Sequence, residues 1–135
     1  MFGSLSKALI EDNLPAAQKT LETLIDIFGK DRVYIELQNH YLPEQRKIIP
    51  AQLKLSKEFG LKTVVTNDVH YVNKDDSFYQ EILMCIQMQK TINDDDRMKF
   101  NSSELYLKSR EELNELFPDI PESFGENVQD LIRDI

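Results

Sequence analysis

Between Pro15 and Phe28, apolar residues recur at Ala17, Leu21, Leu24, Ile25 and Phe28. Steps of three and four put these positions on one face of a helix. Pro15 suits the first helical turn and Gly29 the stop. Residues 4–12 form a shorter candidate helix with Leu5, Ala8 and Leu9 turned inward. The period then changes. VYIELQ, residues 33–38, is a short apolar-rich stretch that reads as a strand. From Pro43 to Phe59 the helical spacing returns, with Ile48, Ala51, Leu55 and Phe59 as the inner stripe and Gly60 as the stop. Pro50 lacks the N–H that the helix needs there, so it is expected to kink or split this element. KTVVT, residues 62–66, is a second strand with a β-branched centre.

Strand, helix and strand in about 35 residues is the length of a βαβ unit, and such a crossover makes a parallel pair. Further on, residues 75–88 read as a helix with Phe78, Ile82, Cys85 and Ile86 as a core stripe. A polar loop, NDDDRMKF, follows, and LYLK at 105–108 is a candidate short strand. Ser109 with Glu112 three residues on is a capping-box pattern opening a helix through Leu113, Leu116 and Phe117. Pro118 and Pro121 mark a turn, and residues 122–134 read as the last helix. The fold class expected is α/β, with few parallel strands flanked by helices. A parallel sheet needs cover on both faces. So few strands therefore imply an incomplete barrel or sheet whose remaining strands lie upstream. Exposed strand edges invite pairing, so the isolated chain is expected to form a homodimer or to aggregate.

Composition adds limits. The 135 residues are 41% hydrophobic and 30% charged, an ordinary globular mix. The formal net charge of −8 argues against a stand-alone nucleic-acid binder, because phosphate neutralisation by Lys and Arg dominates duplex binding. That charge does not exclude a small basic patch, nor nucleic-acid binding by a larger protein to which this acidic piece belongs. No apolar run approaches the roughly 20 residues of a membrane span. The N-terminus has no basic stretch followed by a long apolar core, so no signal peptide is read there. Cys85 is the single cysteine and has no disulfide partner, which makes the cytoplasm the default compartment.

The candidate chemistry rests on the two histidines. His40 follows the first strand of the βαβ unit, and Asp68 and His70 follow the second. In a parallel pair both positions lie at the C-terminal edge, where α/β folds place their sites. Neighbouring strands are only about 4.8 Å apart, so the side chains can converge. Asp and His together suit zinc, manganese or iron. Asp-Val-His also puts both ligands on one side of an extended segment. An Asp-x-His tripeptide is common, however. By itself His70 also reads as a loop histidine bonding a backbone carbonyl, and His40 as a solvated loop residue. Glu36, in the middle of VYIELQ, reads as structural. Asp94, Asp95 and Asp96 lack the spacing and glycine of a calcium loop and read as a solvated turn. Cys85, Met84 and Met88 read as core or gap-filling residues. Neither a Walker-type nor a dinucleotide-type glycine-rich loop is present.

Four segments, VYIELQNHYLPEQRK (33–47), TNDVHYVNKDD (66–76), CIQMQKTINDDDRMKF (85–100) and LYLKSREELNELFPDIPES (105–123), resemble the bacterial DNA polymerase III alpha subunits. The resemblance is ordered and runs from about residue 15 to the end. It implies that residues 1–135 are the C-terminal portion of a PHP domain, a distorted β/α barrel carrying divalent metals, without its N-terminal strands and without the polymerase core. It implies Asp68 and His70 as ligands of the last metal motif, and His40 as a ligand position that only some members have. Zinc or manganese would be the cofactor, unbound if the site is incomplete. Members with an intact site remove nucleotides from a 3′ end or hydrolyse phosphate esters by metal-assisted hydrolysis. The family's first motif, His-x-His, is absent here, so this piece is expected to be inactive alone although its parent is a nucleotidyltransferase of DNA replication. The partners implied are the rest of the alpha chain and the proofreading exonuclease subunit. A purely structural PHP module without metal, and a free-standing PHP-type phosphoesterase, are the alternatives.

Overall fold

A computed structural model describes residues 3–100 and 102–133. Two helices open the chain, α1 (Ser4–Ile10) and α2 (Leu14–Phe28). Asn13 caps α2 by accepting the Ala16 N–H at 3.1 Å, and Gly29 closes it with φ +83°. Strand β1 (Tyr34–Leu37) follows, then α3 (Pro43–Phe59) and β2 (Lys62–Val65). Helix α3 stops where Gly60 takes a left-handed backbone, φ 62° and ψ 39°. Only glycine adopts that conformation without steric cost. The rest of the chain holds α4 (Ser77–Gln87), α5 (Arg110–Leu116) and α6 (Glu126–Arg133).

The two strands pair in parallel, Tyr34 with Lys62 through Leu37 with Val65. This is the βαβ unit expected from the change of period, and it forms a small mixed α/β fold. Among the described residues the sheet has these two strands and no closed barrel. Ile35 and Leu37 share a face with Thr63 and Val65, because parallel partners point the same way. On that face they meet Ala8 and Leu9 of α1, Ala17 and Leu21 of α2, and Ile48 and Leu55 of α3. Phe117, just past α5, closes the same cluster.

The outer side of β2 is covered by the chain's end. Thr63 Oγ1 and Ser123 Oγ lie 2.5 Å apart, and Ser123 is fully buried in a 3-10 turn at Pro121–Phe124. From α6, Asn127 donates to the Thr63 carbonyl at 2.8 Å, and Asp130 pairs with Lys62 at 2.7 Å. On the β1 side, Gln52 of α3 donates to the Glu36 carbonyl at 3.1 Å. Both bonds satisfy backbone groups that the two-stranded pairing leaves free.

Several sequence expectations are corrected. Pro50 does not split α3, which runs unbroken through it. Pro50 and Arg46 are both exposed, so water can take the Arg46 carbonyl that Pro50 cannot serve. Phe28 ends α2 on an exposed turn instead of in the core. LYLK is not a strand: it makes a single parallel bridge, Tyr71 with Tyr106. The last helix begins at Glu126 because the 3-10 turn occupies residues 121–124, and position 134 of the expected helix lies outside the described residues. On α4, Met84 and Cys85 are buried, whereas Phe78 and Ile86 are 53% and 68% exposed. Of the stripe expected to face the core, Cys85 is buried and Ile82 half-buried, whereas Phe78 and Ile86 face out.

Leu37 has no exposed surface. Leu37→Ala should therefore destabilise the chain by about 2–5 kcal/mol through lost burial and a residual cavity, read as a shift in the urea midpoint. Leu83→Ala on exposed α4 should shift it far less.

Candidate metal site at the C-terminal strand edge

Parallel pairing brings the segment after β1 and the segment after β2 to one edge. His40 lies in the first, and Asp68 and His70 in the second. The pairing continues past the strands, since the Thr66 N–H donates to the Leu37 carbonyl at 3.1 Å. Both segments then turn through left-handed backbone, Tyr41 at φ 62° and Asp68 at φ 44°. Aspartate tolerates that region, whereas a residue such as tyrosine takes it at a cost of about 1–2 kcal/mol. Asn39 Oδ1 accepts the Tyr41 N–H at 3.1 Å, and the Arg46 guanidinium sits 4.8 Å from the Tyr41 ring centre. These contacts offset that cost.

His40 is 4% exposed. Its Nε2 donates to the Asn67 carbonyl at 3.2 Å. Its Nδ1 accepts from Gln45 Nε2 at 3.1 Å, and its backbone N–H donates to Gln45 Oε1 at 2.7 Å. Burial lowers the pKa of the ring below its usual value, against the opposing effects of the Asn67 hydrogen bond and of the Asp68 charge. His70 is arranged differently. Its Nδ1 donates to the Asp68 carbonyl at 2.6 Å, which leaves Nε2 as the lone-pair nitrogen. The His70 ring meets Phe100 edge-on with centres 4.7 Å apart. The Asp68 carboxylate is 59% exposed, and its Oδ1 lies 4.0 Å from His70 Nδ1.

Residues 102–108 hold this edge together. Asn67 gives both amide hydrogens to backbone carbonyls, Glu104 at 2.9 Å and Tyr106 at 2.6 Å. The His70 N–H donates to the Leu105 carbonyl at 2.8 Å, and the Leu105 N–H donates to the Tyr71 hydroxyl at 3.3 Å. Ser102 Oγ donates to the His40 carbonyl at 2.8 Å. Glu104 anchors the segment: its carboxylate receives Lys74 at 2.5 Å and Lys108 at 2.8 Å. The Lys108 side chain is 2% exposed and lies 3.6 Å from the centre of the Tyr106 ring. Tyr106 in turn donates to Glu112 Oε1 at 2.5 Å, which raises the tyrosine pKa and lowers that of the glutamate. Glu112 also completes the capping box expected with Ser109.

Among the described residues, no three His, Cys, Asp or Glu side chains converge as a metal centre. The described residues include all three sequence-chosen positions, and these share one edge.

No family model matches the chain. Relatives do. The chain is 40% identical over 122 residues to DNA polymerase III subunit alpha of Treponema pallidum, covering 90% of this chain and 10% of that one. The corresponding protein of Thermus aquaticus is 40% identical over 111 residues, 82% of this chain and 9% of the other. That of Campylobacter jejuni is 44% identical over 104 residues, 77% of this chain and 9% of the other. This chain is homologous to one segment of the DNA polymerase III alpha subunit. It spans about a tenth of the length of the curated relatives it matches.

Gln45, Asn67, Glu104 and Lys108 were missed from sequence. Gln45 had a signal, because Gln at the third position of a helix opened by Pro43 often caps backwards. Here it reaches past the cap to His40. Glu104 and Lys108 are four apart, a spacing that means contact in a helix, but they lie in an irregular segment where spacing carries no such meaning.

Burial opposes ionisation of Glu104, but the hydrogen bonds from Lys108 and Lys74 outweigh it and hold the carboxyl below its usual value of 4.5. The stabilisation from this cluster is therefore complete above pH 4.5 and is lost as pH falls through the lower folded value. Glu104→Gln should flatten this acid sensitivity in urea melts. Glu104→Ala leaves Lys108 buried without its charged partner, although the Glu104 carbonyl still accepts from it, and should cost about 3–5 kcal/mol.

Proposed function

We propose that this chain is a PHP-type segment of a replicative polymerase alpha chain, the C-terminal part of a β/α barrel. In that reading it supplies Asp68 and His70 to a divalent-metal site that other parts of the protein complete. The observation that carries the reading is the Nε2 of His70, without a hydrogen-bond partner among the described residues, beside an exposed Asp68 carboxylate at the C-terminal edge of a parallel pair. A histidine whose Nδ1 is fixed by a carbonyl presents Nε2 in the orientation that metal ligation uses.

Among the described residues the donor set falls short. Both ring nitrogens of His40 are engaged, and both Glu104 oxygens hold lysines. Asp68 and His70 are two donors, whereas zinc centres take three or four protein ligands. The residues present do not fit a complete centre, and no hydrolytic step is assigned to them. Exonucleolytic or phosphoesterase chemistry and DNA polymerisation belong, on this proposal, to a longer polypeptide acting in the cytoplasm. Contacts with DNA and with a proofreading exonuclease subunit belong there too.

Support for a docking role comes from α4. Phe78, Tyr79, Leu83 and Ile86 are each more than half exposed. A cleft of about 470 Å³ between Phe78, Phe100 and Tyr71 adjoins them. An apolar surface of this kind marks an interaction site. The relatives are about ten times longer than this chain, so the occupant proposed is the remainder of the alpha chain.

Two measurements test these readings. Calorimetry with zinc and with manganese should show weak binding, abolished in the Asp68→Ala, His70→Ala double variant. Binding that survives the double variant would place the metal elsewhere and refute the ligand assignment. Light scattering over a wide concentration range should show self-association of the isolated chain that Leu83→Glu with Ile86→Glu abolishes. A monomer throughout would contradict the expected self-association.

A further inference from the structure

We infer that His40 is a positioning residue: a neutral strut that holds the Asp68–His70 loop against the end of β1, and not a metal ligand. The hydrogen bonds dictate its state. A carbonyl only accepts, so His40 Nε2 must carry the hydrogen it gives to Asn67. Nδ1 is then the lone-pair nitrogen, and the Gln45 amide nitrogen donates to it. The other end of that amide accepts the His40 backbone N–H, which fixes the amide's orientation. The His40 carbonyl is occupied as well, by Ser102 Oγ. A metal at Nε2 would have to displace the proton and strand the Asn67 carbonyl. A metal at Nδ1 would strand the Gln45 amide. The first breaks a bond of the part-buried Asn67 carbonyl, and the second leaves the buried Gln45 amide without a partner.

What the strut does follows from its target. Asn67 immediately precedes Asp68, and it is held at three points: its carbonyl by His40, and its side-chain amide by the carbonyls of Glu104 and Tyr106. With Asn67 clamped, the chain turns through the left-handed backbone of Asp68, and the Asp68 carbonyl then receives His70 Nδ1. His40 thus sets the direction of both exposed donors from beneath. The strut rests on geometry alone; its consequence for metal binding rests on the proposed reading of Asp68 and His70.

The chain has two histidines, so ring-nitrogen NMR of the full chain labelled at histidine resolves each one. His40 should appear as the Nε2–H form, with nitrogen shifts unmoved by added zinc, while those of His70 move. In His40→Gln the amide nitrogen can stand where Nε2 stood and keep the bond to Asn67. That variant should keep zinc affinity and urea midpoint close to those of the natural chain. His40→Asn reaches only to the position of Nδ1 and loses the bond to Asn67. It should weaken zinc binding by about tenfold or more, as loss of a supporting partner does, and lower the midpoint. Zinc-induced shifts at the His40 nitrogens, an Nδ1–H form, or His40→Gln behaving like His70→Ala would each overturn the assignment. If the natural chain binds no zinc, the ligand reading of Asp68 and His70 fails. The strut is then judged on the Nε2–H form and on stability, where equal loss in the Gln and Asn variants would refute it.

Discussion

Parallel pairing of β1 with β2 is the constraint on which the other features depend. Two parallel strands cannot be joined by a tight turn. The chain must cross over, and α3 is that crossing. The crossing forces Ile48 and Leu55 down onto the sheet face that Ile35, Leu37 and Val65 present. It also delivers the segments after both strands to the same edge. His40, Asn67, Asp68 and His70 are neighbours because of that geometry, although 27 residues separate His40 from Asn67.

A two-stranded sheet has little pairing of its own to hold that edge in shape. The work falls to side chains reaching back to the backbone. Gln45 reaches to His40, Asn67 to the carbonyls of Glu104 and Tyr106, and Ser102 to the His40 carbonyl. The buried Glu104–Lys108 pair is the counterweight that keeps residues 102–108 in place. A buried ion pair contributes little net stability over an apolar substitute, but losing one partner is costly. Here it fixes one arrangement of an irregular segment that regular hydrogen bonding does not define. The left-handed backbone at Tyr41 and Asp68 persists because these contacts over-determine it.

The two faces of the molecule contrast. The side built by α1, α2, α3 and the sheet packs the apolar core, with Ile27 and Phe28 left exposed at the end of α2. The side built by α4 shows large apolar residues to solvent. The exposed apolar residues of α4 and the Asp68–His70 pair lie in the same half of the chain, after β2.

Much of this was legible from residue spacing alone. Helix and strand existence, the stops at Gly29 and Gly60, the capping box at Ser109 and Glu112, and the parallel βαβ unit all follow from local periods and backbone chemistry. They depend on residues at most four apart, or on the length a crossover needs. The amino-acid order also placed His40, Asp68 and His70 at strand ends. What it could not determine was which face of α4 is covered, because an apolar stripe has the same period whether it meets the core or a missing partner. Nor could it determine that LYLK is a clamp and not a strand, or that His40 is enclosed while His70 Nε2 has no hydrogen-bond partner among the described residues. Those outcomes turn on Gln45, Asn67 and Glu104 meeting atoms tens of residues away or in an irregular segment. Only the tertiary fold brings such groups within hydrogen-bonding distance, and so only the fold decided them.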